Sequence, residues 1–246
     1  MISIILLNVS VILVIYFISK FINLRQKPYN FTNPKKSALF SIAIVAIDIY
    51  LLNPIILLFL IKYFPDVTGP LKVLLECIFP IIEVAPVALA LWLRKEPVNT
   101  LGLTSLNLAK SIIIGIICSI IFTGGIIIIN LSSISFGLNK LWTLMELAIV
   151  GLTEEIIFRG YAQTRLIAWL GKPKGLVISS LLFSIAHFPQ RMLVYGYGVI
   201  AAAKSSLLLM PTALVLGYMM MKTENITAPA ILHTFVDWSQ NLLGKS

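Results

Sequence analysis

Long runs that are apolar on every side constrain this chain most: segments such as 2–19 and 110–131 offer no polar stripe for a water-facing helix. At ~1.5 Å per residue each is long enough to cross a hydrocarbon core of ~30 Å. Only 12% of the residues are charged and 59% are hydrophobic, whereas soluble domains carry roughly 25% charged residues. The expected fold class is therefore all-α, a polytopic membrane helical bundle. Spans are predicted at about 2–20, 37–62, 71–93, 110–131, 141–170, 174–189, 198–221 and 226–243, eight in all.

The longest polar stretch, Arg25 to Lys36, leaves no room for a soluble domain, so residues 1–246 read as a single integral membrane domain. The N-terminus lacks a basic region before its apolar run and a small-x-small cleavage site after it, which fits a retained first span. The expected location is multi-pass in the cell membrane. Net charge is +9, but the basic residues are scattered between apolar stretches and form no stripe with exposed aromatics, so nucleic acid is excluded as a partner. The partners expected are the lipid bilayer and a peptide or protein substrate at the membrane. Twelve Lys and Arg fall in the odd-numbered connections, among them Arg25, Lys27, Arg94, Lys110, Arg165 and Lys222. Five fall on the other side: Lys62, Lys72, Lys140, Arg191 and Lys245. The positive-inside rule would then turn both termini outward. Cys77 and Cys118 lie in apolar stretches without CxxC spacing and read as small core residues.

Ionisable side chains inside such segments cost several kcal/mol each to keep there, so they demand a reason. The fifth span carries adjacent Glu154 and Glu155, with Arg159 four residues past the second. Glu155 and Arg159 form an i,i+4 pair in the favoured order, acid before base, so Glu155 is neutralised locally. Glu154 lies ~100° around the helix and is left free to face a cavity, which suits a general base, with a helix-locking ion cluster as the competing reading. The chain's two histidines, His187 and His233, also lie in apolar segments, and His233 is followed at i+4 by Asp237 and one turn later by Asn241. Depths counted from the flanking lysines let Glu154 and His233 approach the midplane, whereas His187 is only four residues before Arg191 and needs a tilted or shortened sixth span. Asp48, Glu76, Glu83 and Glu146 are further acids within spans, read either as relay groups of a transporter or as helix-end and paired groups. Pro54, Pro80, Pro86 and Pro211 either open a cavity wall or kink their helices.

Three motifs in order, Glu154-Glu155-x-x-x-Arg159, Phe183-x-x-x-His187 and His233-x-x-x-Asp237, resemble those of the CAAX protease and bacteriocin-processing family. These are intramembrane proteases that include the Ras-converting CAAX prenyl endopeptidases. The resemblance covers about residues 96–242, including Leu101-Gly102-Leu103. It implies that Glu154 works with His187 to activate a water for peptide hydrolysis, with His233 and Asp237 stabilising the oxyanion. Glu155 and Arg159 would brace the base, with Phe183 and Asn241 in support. Asp237 stands where many members carry asparagine, and an ionised carboxylate accepts hydrogen bonds only. It would have to be protonated, orient His233, or ligate a metal. Glu154, His187, His233 and Asp237 are side chains of types that zinc accepts, but HExxH spacing is absent, so a metal-free, cofactor-free glutamate mechanism is preferred over zinc. The expected function is membrane endopeptidase. The alternative is a non-enzymatic immunity or regulatory factor that binds a peptide, or a transporter.

Overall fold

The computed structural model describes residues 2–27, 29–64, 67 and 69–243, without the side chains of Ile2, Lys72 and Glu76. The expectations for Glu76 and Lys245 fall outside that description. All eight predicted spans are helical. They are α1 (Ile2–Phe21); α2 (Pro34–Ile47) continuing through a π-helical turn, Asp48–Leu52, into α3 (Asn53–Tyr63); α4 (Gly69–Arg94); and α5 (Leu108–Ile129). The fifth is α6 (Leu138–Glu155), which runs through a second π-helical stretch, Ile156–Gln163, into α7 (Thr164–Leu170). Then follow α8 (Lys172–Ala186) with the short α9 (Phe188–Leu193), α10 (Val199–Leu207) with α11 (Met210–Thr223), and α12 (Thr227–Leu242). Among the described residues there is no strand, only an isolated bridge between Ile134 and Leu243.

Six of these helices are long and apolar enough to cross a membrane, which makes the protein an integral, multi-pass membrane protein. The two predicted spans outside that set, 141–170 and 226–243, carry Glu154, Glu155, Arg159, His233 and Asp237. Their polar load and the shortness of α12 are what separate them from the rest. Large apolar side chains such as Leu13, Ile81, Trp92 and Ile120 face outward, as a lipid-facing surface requires.

Local chemistry accounts for the breaks. Pro54 has no N–H, and its ring crowds the carbonyl one turn back, so the helix widens into the π turn at Asp48–Leu52 rather than continuing regularly. Asn33 caps the start of this rod, its Oδ1 accepting from the Lys36 N–H at 3.0 Å. Gly171, at φ +81°, ends α7, and Pro173 sits in the first turn of α8, where a missing N–H costs nothing.

Two apolar clusters flank the site. One joins α1, α5, α11 and α12 through Val11, Ile15, Ile114, Phe122, Leu216, Met219 and Leu232. The other joins α2, α4, the α6 π stretch and α8 through Val45, Val87, Leu91, Ile157, Phe158, Tyr161 and Phe183. Small residues let α12 settle close against both neighbours. A Cβ on Gly115 would lie 3.0 Å from the Ala228 carbonyl oxygen, and one on Gly151 would lie 3.2 Å from the Thr234 hydroxyl. This is what brings His233 within reach of α6.

The basic connections meet at one end. Asn107 accepts from the Arg25 N–H and donates to the carbonyls of Arg25 and Thr223, and Asn225 donates to Thr104 and Leu106. Gly102, held at φ +75°, offers its carbonyl to Ile226 at 3.1 Å. Nearby, Arg165 is wholly buried between the rings of Phe31 and Tyr161 and binds Glu96 at 2.6 Å, while Arg94 and Ser37 bond the other carboxylate oxygen of Glu96. At the opposite end the chain returns from α12 to α6, where the Trp238 indole donates to the Lys140 carbonyl at 2.8 Å.

Candidate active site

Glu154 and Glu155 end α6 just where the helix widens, and the π stretch carries Arg159 on its first turns. Glu155 and Arg159 are both fully buried, with Oε2 3.4 Å from Nε. Glu155 has a second partner that the helix alone does not supply. The Nδ1–H of His233 donates to its Oε1 at 2.9 Å, and since a carboxylate only accepts, this nitrogen carries the proton. The other ring nitrogen, Nε2, lies 3.4 Å from Asp237 and 3.7 Å from Glu154. His233 is thus an imidazole set among three carboxylates. The pairing of Glu155 with Arg159 alone is corrected to a network with His233 at its centre.

Glu154 differs from its neighbour. Its side chain is 24% exposed where that of Glu155 is fully buried, although each keeps an Oε2 without a hydrogen-bond partner. It opens on a polar cavity of about 40 Å³, lined also by His187, Gln190, Asp48, Asn53 and Glu83. That volume holds more than one water, since a single water needs ~10–15 Å³ of such space. His187 lies on the cavity wall at the point where α8 stops at Ala186 and α9 starts at Phe188, so the sixth span is broken there. Its Nδ1–H donates to the Phe183 carbonyl at 3.0 Å, which leaves Nε2 uncommitted.

Phe183 holds the parts together. Its ring centroid lies 4.8 Å from that of His187, 5.5 Å from His233 and 5.2 Å from Phe158, and the Arg159 guanidinium sits 4.2 Å above it. A guanidinium over a desolvated aromatic face gains about 2 kcal/mol, which helps to keep Arg159 buried with all three of its guanidinium nitrogens lacking hydrogen-bond partners. Asn241 is not brought in. It is exposed, and its amide bonds back to the Asp237 carbonyl at 3.3 Å. Among the described residues no group of three or more His, Cys, Asp and Glu is disposed to hold a metal ion.

Sequence reasoning gave four polar cavity residues no place in the site: Asp48, Asn53, Glu83 and Gln190. Asp48 and Glu83 were visible as acids in apolar segments, and Pro54 marked the disturbance beside Asp48 and Asn53. Gln190, three residues past His187, carried no signal of its own.

The protein is thus a helical membrane bundle that sets a buried acid–imidazole network beside a small polar cavity. Residues 136–239, less than half of the chain, match the family model described as type II CAAX prenyl endopeptidase Rce1-like, and the three motifs lie within that segment. That is a family of CAAX-type intramembrane proteases. The match begins after Leu101-Gly102-Leu103 and leaves Asp48, Asn53 and Glu83 outside it. No curated protein and no solved structure matches the chain.

Proposed function

We propose that the protein is a membrane endopeptidase in which Glu154 takes a proton from a cavity water that attacks a peptide carbonyl. The observation that carries this reading is the shared cavity: Glu154, with an unpartnered oxygen, and His187, with a free Nε2, line the same hollow of about 40 Å³. A general base must stand within hydrogen-bond reach of the proton it takes, directly or through one water. His187 positions that water from the opposite wall. Glu155 and Arg159, buried and paired, brace the base from behind.

His233 supplies the donor nearest to the base. Its Nε2 faces Glu154 at 3.7 Å and Asp237 at 3.4 Å, and a substrate carbonyl arriving there would compete for that proton as charge develops on oxygen. Asp237 then serves His233, keeping the ring charged and oriented, rather than touching the oxyanion. The substrate class that fits a site set among lipid-facing helices is a membrane-associated peptide, either a prenylated CAAX tail or a leader peptide.

Glu154→Gln tests the reading, because it keeps shape and polarity while removing the base. Peptides accumulating in membranes with wild-type protein should be missing from membranes with the variant, with a rate loss of roughly 10²–10⁴-fold for a general base. Identical peptide profiles would instead favour a non-enzymatic binder or transporter.

A further inference from the structure

The cavity has a second acidic wall that the hydrolytic reading does not use. Asp48 lines the cavity although it is only 6% exposed, and its buried Oδ1 has no hydrogen-bond partner. Glu83 lines the same space from α4, its Oε1 accepting from the Asn53 amide at 3.0 Å. With Glu154 from α6, three carboxyls on three elements surround about 40 Å³ and lie within electrostatic reach of one another. Among the described residues no Lys or Arg lines this space. The surrounding cations are committed elsewhere: Arg159 to Glu155 and the Phe183 face, His233 to Glu154, Glu155 and Asp237, and Arg191 to the Tyr195 ring at 5.0 Å. The remaining groups on the walls are His187, the amides of Asn53 and Gln190, and apolar side chains.

Like charges confined this way cannot all persist, and sites with paired carboxyls resolve the conflict by letting one keep a proton. We propose that Asp48 and Glu83 form a proton-bearing pair that acts as the general acid, opposite Glu154 as the base. The inference rests on the endopeptidase reading above. As the water oxygen bonds to the carbonyl carbon, its proton passes to Glu154. When the C–N bond breaks, the leaving nitrogen takes its proton from the Asp48–Glu83 pair. The proton on Glu154 then crosses the cavity to the pair, and both walls return to their starting state with one water consumed. Both carboxyls are set by features outside the matched family segment. The Pro54-induced π turn begins at Asp48, and Asn53 on the next turn fixes Glu83.

Infrared difference spectroscopy of the full-length protein in lipid nanodiscs reads the proton directly, without any substrate. At neutral pH the protonated-carboxyl C=O band should be present in wild type and in Glu154→Gln. It should be lost in Asp48→Asn/Glu83→Gln and retained in Asp48→Glu. Glu83→Gln alone, which keeps a partner for Asn53, should weaken it and serves if the double variant does not fold. On a farnesylated CAAX peptide the double variant should lose roughly 10²–10⁴-fold in kcat with little change in KM. A band absent from wild type, surviving in the double variant or vanishing in Glu154→Gln overturns the proposal. Cleavage surviving in Glu154→Gln sinks the endopeptidase reading instead, and the infrared result stands apart from it.

Discussion

Removing one partner of the buried pair behind the base should have very unequal effects, depending on which partner goes. At 3.4 Å, Glu155 and Arg159 attract each other by about 5 kcal/mol at an effective dielectric constant of ~20, against a desolvation cost of several kcal/mol per ion. In Glu155→Gln the guanidinium stays wholly buried with Phe183 as its remaining support, since its terminal nitrogens have no partners. A stranded buried charge costs about 3–5 kcal/mol. In Arg159→Met the carboxylate keeps the His233 Nδ1–H at 2.9 Å, and a hydrogen bond to a charged group retains about 1.5–3 kcal/mol. Arg159→Met should therefore cost only about 1–3 kcal/mol. Combining the two removes both charges, and the double variant should be more stable than Glu155→Gln alone. Thermal unfolding in detergent measures this cycle: at roughly 2–4 °C per kcal/mol for a chain of this size, Glu155→Gln should lower Tm by roughly 6–20 °C. If Arg159→Met is the more damaging single change, or if the two losses simply add, the buried network described above does not hold the helix.

Gly160→Ala would place a Cβ 2.7 Å from the Leu101 carbonyl oxygen and 3.1 Å from Ile226; overpacking of this kind costs about 1–3 kcal/mol, and an unchanged Tm would contradict the close contact. At the basic end, burial alone would raise the Glu96 carboxyl, but Arg165, with the hydrogen bonds from Arg165, Arg94 and Ser37, outweighs it and holds the group below the usual glutamate value. Because the folded value is depressed, the clasp contributes fully above the ordinary value of about 4.3 and is lost as pH falls through the lower one. Protease sensitivity around residues 96–102 should therefore rise on acidification in wild type. In Glu96→Gln it should already be high at neutral pH and vary little. Chelation should leave cleavage intact; activity lost to a chelator and restored by zinc would overturn the metal-free mechanism.

The eight helices were legible because apolar length is a property of the chain itself, and their ends shift by only a few residues in the structure. Glu154, Glu155 and Arg159 were legible for a related reason, since i,i+4 geometry is local. What the sequence hid was tertiary. Nothing in the spacing of residues 154–159 announces that His233, far along the chain, takes the second oxygen of Glu155. The same i+4 logic that grouped His233 with Asp237 also grouped Asn241, yet the structure turns that amide back onto its own helix. The π turns were invisible because they change backbone hydrogen bonding without changing composition. Pro54 signalled a disturbance but not its form. The break at His187 is of the same kind.

Phe183 touches both imidazoles and the guanidinium at once, so these three groups are geared to a single ring. A ligand that pushes His187 aside must turn that ring, and the motion is then felt at Arg159 and His233 on the far side. The cavity wall at His187 and the buried ion pair at Arg159 cannot be adjusted separately: whatever occupies the hollow reports its presence to the helix behind it.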